Sequence, residues 1–275
     1  MALRIEKVDH EDMAMRERLF AFLAPHEAYC LFITGNLKND FPDSHLYAAV
    51  RRDKWIGLAG YYGRPKSVIP FASDPDTARE LTRYVADRHP DIDFLNAMAS
   101  LAEPSCDELS RLGYRVANNP RQVFMQSDSE PAPQQHEELV RSMEPTDYEG
   151  TVKLLRYIQD RPQDPPVTEE ELRKVQMSPF RRVLVADGQV VSTASTNGVG
   201  IAAFQILGVA TAKAHRGKGY ARAVCASLMR EMWREGARQT IIFTPTDNKP
   251  AQRCYKGLGF QATGDFWVAK LERQS

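Results

Sequence analysis

A polar segment in the middle of the chain divides it into two halves that each contain a series of apolar runs. Residues 127–138 include Pro131 and Pro133 and show no apolar periodicity. A segment of this kind has no face to bury and is typical of a connector. The 275 residues leave room for two domains of ordinary size, about 100–150 residues each. We therefore predict domains at 1–127 and 139–275, joined by a linker at 128–138.

The second half predicts a mixed series of helices and strands. Apolar residues recur at helical spacing over 217–235, and Gly236 follows as a helix stop. An Asp-Gly turn at 187–188 separates two β-branched runs and indicates a hairpin. The predicted helices are 146–160, one that opens at 168, 217–235 and 248–258, and the predicted strands are 182–188, 190–196, 202–212, 240–244 and 266–271.

The first half repeats this order. It predicts strands at 3–8, 46–50, 55–62, 68–71, 94–98 and 123–126, and helices within 11–23, 27–36, 75–87 and 105–112. The endings also correspond, with Leu-Gly-Tyr at 112–114 and Leu-Gly-Phe at 258–260. We interpret the repetition as an ancient duplication, with chance similarity as the alternative. The expected fold class is α/β, an α+β mixed sheet in two tandem copies.

Charge and cysteine content exclude several function classes. Lys plus Arg equals Asp plus Glu at 36 each, so no net field favours nucleic acid or an anionic membrane. The N-terminus has no signal-peptide pattern, and no run approaches the ~20 apolar residues of a membrane span. The cysteines, Cys30, Cys106, Cys225 and Cys254, are too scattered for a disulfide framework or a zinc site. We expect a cytoplasmic protein without a metal.

The sequence 214–221, Ala-His-Arg-Gly-Lys-Gly-Tyr-Ala, lies between a predicted strand and a predicted helix. A glycine-rich turn at a helix start presents backbone N–H groups without obstructing side chains, and the helix dipole adds attraction for an anion. Its spacing is neither a Walker A loop nor a G-x-G-x-x-G fingerprint. We interpret it as a phosphate-binding loop. A basic turn without a ligand and a loop for the phosphates of ATP stay open as alternatives.

A second segment, 248–260, places Asn248, Ala251 and Tyr255 at near-helical spacing before a Gly-Phe stop. Tyr255 can be a half-buried core residue. Its hydroxyl can equally reach a cleft and protonate a leaving thiolate, because tyrosine is a competent general acid.

The two segments together resemble the GNAT family of N-acetyltransferases. Arg216-x-x-Gly219-x-Ala221 is similar to that family's Arg/Gln-x-x-Gly-x-Gly/Ala loop, and the resemblance extends over about 143–271. The family's later helix is matched by Asn248, Ala251 and Tyr255, with Gly259 and Phe260 after them. The resemblance implies an acyltransferase that uses acetyl-CoA as donor, with an amine attacking the thioester directly in a ternary complex.

The resemblance also implies a role for each matching residue. The diphosphate would be held by Arg216 and by the amides of Gly217, Lys218, Gly219, Tyr220 and Ala221. Val209 and Thr211 would pair with the pantetheine arm, and the Val209 amide would polarise the thioester carbonyl. Asn248 and Ala251 would complete the cofactor site, and Tyr255 would protonate the thiolate.

A general base is not evident. Many relatives place a Glu on the strand before the loop, whereas this strand carries Gln205, which cannot accept a proton. His215 adjoins the loop, and we interpret it as a surface residue in preference to a base. Proton removal by water is the expectation.

The first half lacks the corresponding residues. Aligning Gly113 with Gly259 places Leu109 at the tyrosine position, and the junction 69–76 has no glycine but carries Asp74 and Asp76. Those carboxylates would repel a diphosphate. This half therefore resembles the degenerate N-terminal partner of tandem GNAT proteins, and we predict that it has no cofactor site and covers the acceptor side of the other half.

The acceptor is not evident from the sequence. We expect a small-molecule amine, with a protein amine as a less favoured option. A module that binds acyl-CoA or a partner without turnover is the alternative function. The segments expected to select the acceptor are 157–167, 175–182 and 265–267. Monomer and homodimer are both compatible with the sequence.

Overall fold

The computed structural model describes residues 3–159, 161, 165–178 and 180–274. Contacts between Cα atoms divide the chain into two compact units. Unit 1 comprises Met1–Phe124, Phe243–Asp247 and Ala262–Ser275, and unit 2 comprises Met125–Ile242 and Asn248–Gln261. The end of the chain therefore does not follow the predicted boundary, because residues 262–275 belong to unit 1 rather than to the second half.

The helices and strands follow the predicted order. The first half of the chain contains β1 (Arg4–Val8), α1 (Met13–Leu23), α2 (Glu27–Lys38), β2 (Ser44–Arg51), β3 (Lys54–Tyr62), β4 (Ser67–Ala72), α3 (Pro75–Arg88), β5 (Phe94–Met98), α4 (Ala99–Arg111), β6 (Tyr114–Asn118) and β7 (Gln122–Ser127). The second half contains β8 (Val140–Ser142), α5 (Tyr148–Ile158), α6 (Glu169–Gln176), β9 (Arg181–Ala186), β10 (Gln189–Val199), β11 (Ala203–Thr211), α7 (Tyr220–Arg234), β12 (Gln239–Pro245), α8 (Lys249–Lys256) and β13 (Gln261–Arg273).

The sheet of unit 1 runs β1-β2-β3-β4-β5-β13. Neighbouring strands are antiparallel except for β4 and β5, which are parallel. β6 also pairs with β13, through Asn118 to Lys270 and Tyr114 to Arg273. Both faces are buried, because α3 and α4 contribute to one apolar cluster and α1 and α2 contribute to another. Burial on both faces explains the nearly continuous apolar runs of β2 and β3.

The sheet of unit 2 repeats this pattern in the order β8-β9-β10-β11-β12. Its one parallel pair is β11 with β12, which corresponds to β4 with β5. α7 follows β11 and contacts β9, β10 and β11, whereas α5 contacts β10, β11 and α6. The mixed-sheet fold class is confirmed, and so is the repeated order of its elements.

One helix of the first half was predicted with the wrong start, and two strands were missed. The helix predicted over 105–112 begins at Ala99, with Pro104 inside it. Strands β6 and β8 were not predicted, because four of the five β6 residues are exposed and β8 has only three residues. Without alternating burial such strands carry no period-2 signal.

Candidate functional site

Strand β11 carries a bulge at the position where the predicted donor site begins. Its pairing with β10 joins Leu207 to Ser195 and then Ala210 to Thr193, so β11 has one more residue than β10 across this interval. Gly208 adopts a φ of +63° there, a conformation that glycine reaches without steric cost. A bulge bends the strand and re-aims the next residue, which is Val209.

Beyond the bulge, β11 pairs on one side only within the described part of the chain. Its parallel register with β12 covers Ala203–Gln205 opposite Gln239–Ile241, and its pairing with β10 continues to Thr211. Thr211 Oγ1 lies 2.9 Å from Ser192 Oγ, so the Thr211 side chain is held against β10. The backbone from Ile206 to Thr211 is therefore a strand edge of the kind that an extended ligand can pair with.

The loop after β11 is kept open by two glycines in the left-handed region. Gly217 has a φ of +77° and Gly219 a φ of +84°, and a Cβ on either would meet no atom within 4 Å. A left-handed residue ends helical geometry, so α7 begins at Tyr220 rather than near Gly217 as predicted. Lys218 is exposed between the two glycines.

A row of successive backbone N–H groups has no acceptor at this loop. Among the described residues, none of the N–H groups from Gly217 to Arg222 donates a hydrogen bond, and the first helical bond runs from Ala223 N to Gly219 O at 3.0 Å. No side chain caps the helix. These are the unsatisfied donors that any helix start leaves, extended here by the two glycines.

The electrostatics of the loop favour an anion. The first turn of α7 contains no acidic residue, so the positive end of the helix dipole is uncompensated. Arg216 is exposed, donates from Nε to Thr211 O at 3.2 Å, and lies 5.5 Å from the Tyr157 ring centroid. The Arg216 side chain is thus held beside the free amides.

Helix α8 positions the second set of predicted residues. Asn248 is the N-cap of α8, and its Oδ1 accepts from Ala251 N at 3.2 Å. Pro250, in the first turn, needs no backbone acceptor. The cap occupies the acceptor atom of Asn248 and leaves its Nδ2 group as a donor. Ala251 is half-buried.

Tyr255 is a buried residue of α8. Its ring is 5% exposed and lies 6.0 Å from that of Phe260. Burial raises the pKa of its phenol well above the ordinary value, with Cys225 and Cys254 adding to the rise. Tyr255 is therefore protonated at neutral pH, which is the state that a general acid requires.

The cysteines of unit 2 are unsuited to nucleophilic catalysis. Burial raises the pKa of the Cys225 thiol well above its ordinary value, and burial also raises that of Cys254 although Arg222 opposes the rise. The thiolate is the reactive form of cysteine, so both side chains stay unreactive thiols.

Gln205 and His215 are the two side chains that bear on the question of a general base, and both pack against neighbouring side chains. Gln205 is 2% exposed and accepts from Asn197 Nδ2 at 2.8 Å, which marks it as part of the sheet. His215 is half-buried, with its ring stacked 6.1 Å from that of Tyr220 at the loop. Neither arrangement is that of a base aimed at an amine.

Sequence reasoning overlooked two features of this region. Gly208 interrupts an apolar strand, and an isolated glycine in a strand is a signal for a bulge. Arg181 and Arg182 are adjacent at the start of β9, and successive residues of a strand point to opposite faces. One of the two must therefore point to each face, and Arg181 is the buried one, at 8% exposure.

Comparisons with known proteins concern the family and the fold. Residues 146–260 match the family model described as the acetyltransferase (GNAT) family. No curated protein matches the chain. Among the residues that the structure describes, no helix has the length and apolar character needed to cross a bilayer.

Solved structures share the fold over nearly the whole chain. A Drosophila protein is 12% identical with a TM-score of 0.69, covering 97% of this chain and 98% of its own. A GCN5-related N-acetyltransferase from Sphaerobacter thermophilus is 17% identical with a TM-score of 0.57, covering 98% and 95%. A tandem GNAT protein from the clavulanic acid biosynthesis pathway is 14% identical with a TM-score of 0.54, covering 99% and 98%. The chain therefore has the tandem GNAT fold, and its residues 146–260 form a domain of the acetyltransferase (GNAT) family.

Proposed function

We propose that the protein is an N-acetyltransferase that transfers the acetyl group of acetyl-CoA to a small-molecule amine by direct attack in a ternary complex. The observation that carries the proposal is the row of free backbone N–H groups from Gly217 to Arg222. Membership of residues 146–260 in an acetyltransferase family supports the same reaction class.

The loop fits a diphosphate. Its glycines leave open space where side chains would stand, and consecutive amides at a helix start form an anion-binding site. The amides of Gly217, Lys218, Gly219, Tyr220 and Ala221 would hold the phosphate oxygens. Arg216 would add a charge-assisted hydrogen bond from the guanidinium group.

The bulged strand fits the thioester end of the donor. The one-sided edge of β11 would pair with the amides of the pantetheine arm through Val209 and Thr211, as an added strand does. The Val209 N–H would donate to the thioester oxygen, where negative charge develops during attack. Asn248 would contact the arm through its remaining Nδ2 donor, beside Ala251.

The transfer needs two proton movements. The amine nitrogen forms a bond to the thioester carbon, and the carbon–sulfur bond breaks. Tyr255 would give its phenolic proton to the departing sulfur, and water would take the proton that the amine loses. No covalent intermediate on the protein is involved, which agrees with the unreactive thiols of Cys225 and Cys254.

Unit 1 would have no donor site. The helix that corresponds to α7 is α3, whose N-terminus is capped by the Asp74 carboxylate, with Pro75 after it. We propose that residues 1–127, completed by strand β13, act as a domain that has kept the fold without the cofactor. A linker at 128–138 follows, and the acetyltransferase domain begins at 139.

The test combines donor binding with turnover. Calorimetry should show binding of coenzyme A to the full chain, and free-thiol release from acetyl-CoA should depend on an added amine. Tyr255→Phe should keep the affinity for coenzyme A and lower kcat by about 100-fold, the low end of general acid–base effects. Tyr148→Phe, at the start of α5, is the matched control and should change neither quantity.

The two possible failures have different meanings. Absence of coenzyme A binding would contradict the donor site at the loop. Binding without thiol release across an amine panel would favour the non-catalytic acyl-CoA-binding module. Full activity of Tyr255→Phe would remove that residue from the mechanism and leave the rest of the proposal intact.

A further inference from the structure

Two adjacent arginines at the start of β9 lie in different surroundings. Arg182 forms an ion pair with Glu231 of α7, on the face of the sheet that α7 covers. Arg181 is the first residue of β9 and pairs in register with Ser195 of β10. Because neighbouring residues of a strand point to opposite faces, Arg181 points to the face that α5 covers.

Arg181 is a buried cation for which the described part of the chain supplies no counter-ion. The residue is 8% exposed. No carboxylate of the described chain lies within 4.0 Å of its nitrogens. Within the described part of the chain, Arg181 Nη1 donates a long hydrogen bond to Thr193 Oγ1 at 3.4 Å, and its Nε has no partner there. Buried arginines are normally paired, so this arrangement is costly to the free protein.

The guanidinium group lies beside the β11 bulge. A Cβ built on Gly208 would be 3.8 Å from Arg181 Nη1 and 3.5 Å from both Ser195 Oγ and Leu155 Cδ2. Because Gly208 has no Cβ, no side-chain atom of this residue separates these three side chains from the bulge. The next residue is Val209, whose amide we assigned to the thioester carbonyl.

The charge of Arg181 persists at neutral pH. Burial lowers the pKa of its guanidinium to about 10, which still leaves the group protonated. A cation held in this way, with unused donors, matches an anionic ligand, and the planar fork of arginine matches a carboxylate best.

We propose that Arg181 binds the carboxylate of the acceptor, and that the acceptors are therefore amino acids or other short amines that carry a carboxylate. The inference rests on the proposed function, because the amine must reach a thioester held at Val209. With the guanidinium next to Gly208, the amine and the carboxylate of one small molecule can reach the two positions together. The carboxylate would supply the missing counter-ion only when the acceptor is bound.

The test uses pairs of amines that differ only in the carboxylate. Amino acids and their decarboxylated counterparts are offered with acetyl-CoA, and thiol release gives kcat/KM for each. We expect the wild-type chain to prefer the carboxylated member. Arg181→Gln should lower kcat/KM for that member by about 30-fold or more, as truncation of one partner of a buried charge pair does, and should change the decarboxylated member little. Arg181→Lys keeps the charge without the planar fork. Its kcat/KM for the carboxylated member should lie between those of the wild type and Arg181→Gln.

Controls separate recognition from folding and from donor binding. Arg182→Gln removes an equal charge from the same strand on the opposite face, and the preference should persist. Coenzyme A affinity measured by calorimetry should be the same for wild type and Arg181→Gln. A thermal melt should show no loss of Tm for Arg181→Gln, because an unpaired buried cation does not stabilise the fold.

Several outcomes would overturn the inference. Equal kcat/KM for both members of each pair in the wild-type chain would show that no carboxylate is recognised. An equal loss for both members in Arg181→Gln, or a large fall of its Tm, would make Arg181 a donor-side or structural residue. Each of these results is compatible with coenzyme A binding and thiol release by the wild-type chain, whereas absence of coenzyme A binding by the wild type would contradict the proposed function itself.

Discussion

The starts of helices α3 and α7 show how one fold position can be filled in two ways. In unit 1 the helix start is closed by its own side chain, since Asp74 accepts from Thr77 N at 2.8 Å and from Thr77 Oγ1 at 2.9 Å. In unit 2 the same position is Gly219, which has no side chain, and the amides beside it stay free. A carboxylate in the first case occupies the place that an external anion would take in the second.

The strands that lead to these helices also differ, because β4 is regularly paired and β11 is not. β4 pairs with β3 in a continuous register from Ser67 to Ala72, whereas β11 is bulged at Gly208. A continuous ladder uses its backbone groups for the sheet, and a bulge redirects some of them. The two units thus show that a shared fold does not by itself supply a site, which depends on a few backbone positions.

The largest loss of coenzyme A affinity should come from placing at the start of α7 a carboxylate like the one at the start of α3. Gly219→Asp places a carboxylate among the free amides, and like-charge repulsion should lower coenzyme A affinity by about 100-fold or more, as measured by calorimetry. Gly113→Asp is the matched control, because Gly113 has a φ of +85° and equally open surroundings. Unchanged affinity in Gly219→Asp would mean that the diphosphate lies elsewhere.

The converse change should cost unit 1 stability without adding a ligand site. Asp74→Ala removes the cap of α3 and should lower the opening free energy of its amides by about 1 kcal/mol, the usual value for a cap. Hydrogen exchange along α3 measures this. Asp76→Ala removes an exposed carboxylate that pairs with half-buried Arg79 instead, and it should cost less than about 1 kcal/mol. A gain of coenzyme A binding at unit 1 in Asp74→Ala would show that the carboxylate alone had excluded it.

The smallest effect should appear on acidification. Partial burial works against ionisation of Asp74, but hydrogen bonds from Thr77 and Ser73 outweigh it and lower the pKa of the carboxyl below its ordinary value. The cap therefore contributes fully above the ordinary pKa of an unfolded Asp, and the contribution is lost as pH falls through the lowered pKa. Exchange of α3 amides should show wild type and Asp74→Asn converging in that acid range and differing at neutral pH. A constant difference at every pH would contradict the cap.

Much of the fold could be predicted from local patterns. Apolar periodicity and turn residues located the helices and most strands, and the predicted start of α3 at Pro75 agrees with the structure. Strands β6 and β8 were missed because one is exposed and the other very short. The pairing partner of β13 could not be predicted either, because its residues carry a strand pattern that fits any sheet.

The candidate site was only partly evident from the sequence. The glycine loop could be located because glycine spacing limits backbone geometry, but the free amides depend on where α7 begins. Periodicity placed that start at Gly217, since Ala221 fits the apolar face, whereas left-handed φ angles at two glycines delay it to Tyr220. Arg181 is buried with no counter-ion among the residues that the structure describes. This depends on packing against α5 and β10, which a local sequence pattern does not show.

The placement of β13 has a consequence for biosynthesis. The strand pairs with β5 through Phe266 to Met98 and with β6 through Arg273 to Tyr114. Strands that leave the ribosome earlier therefore need one that leaves later to complete their sheet. A nascent chain released up to residue 127 would expose the edges of β5 and β6, which is a risk for aggregation. Cutting the gene at the linker would for the same reason leave one half without a strand and the other with a surplus one.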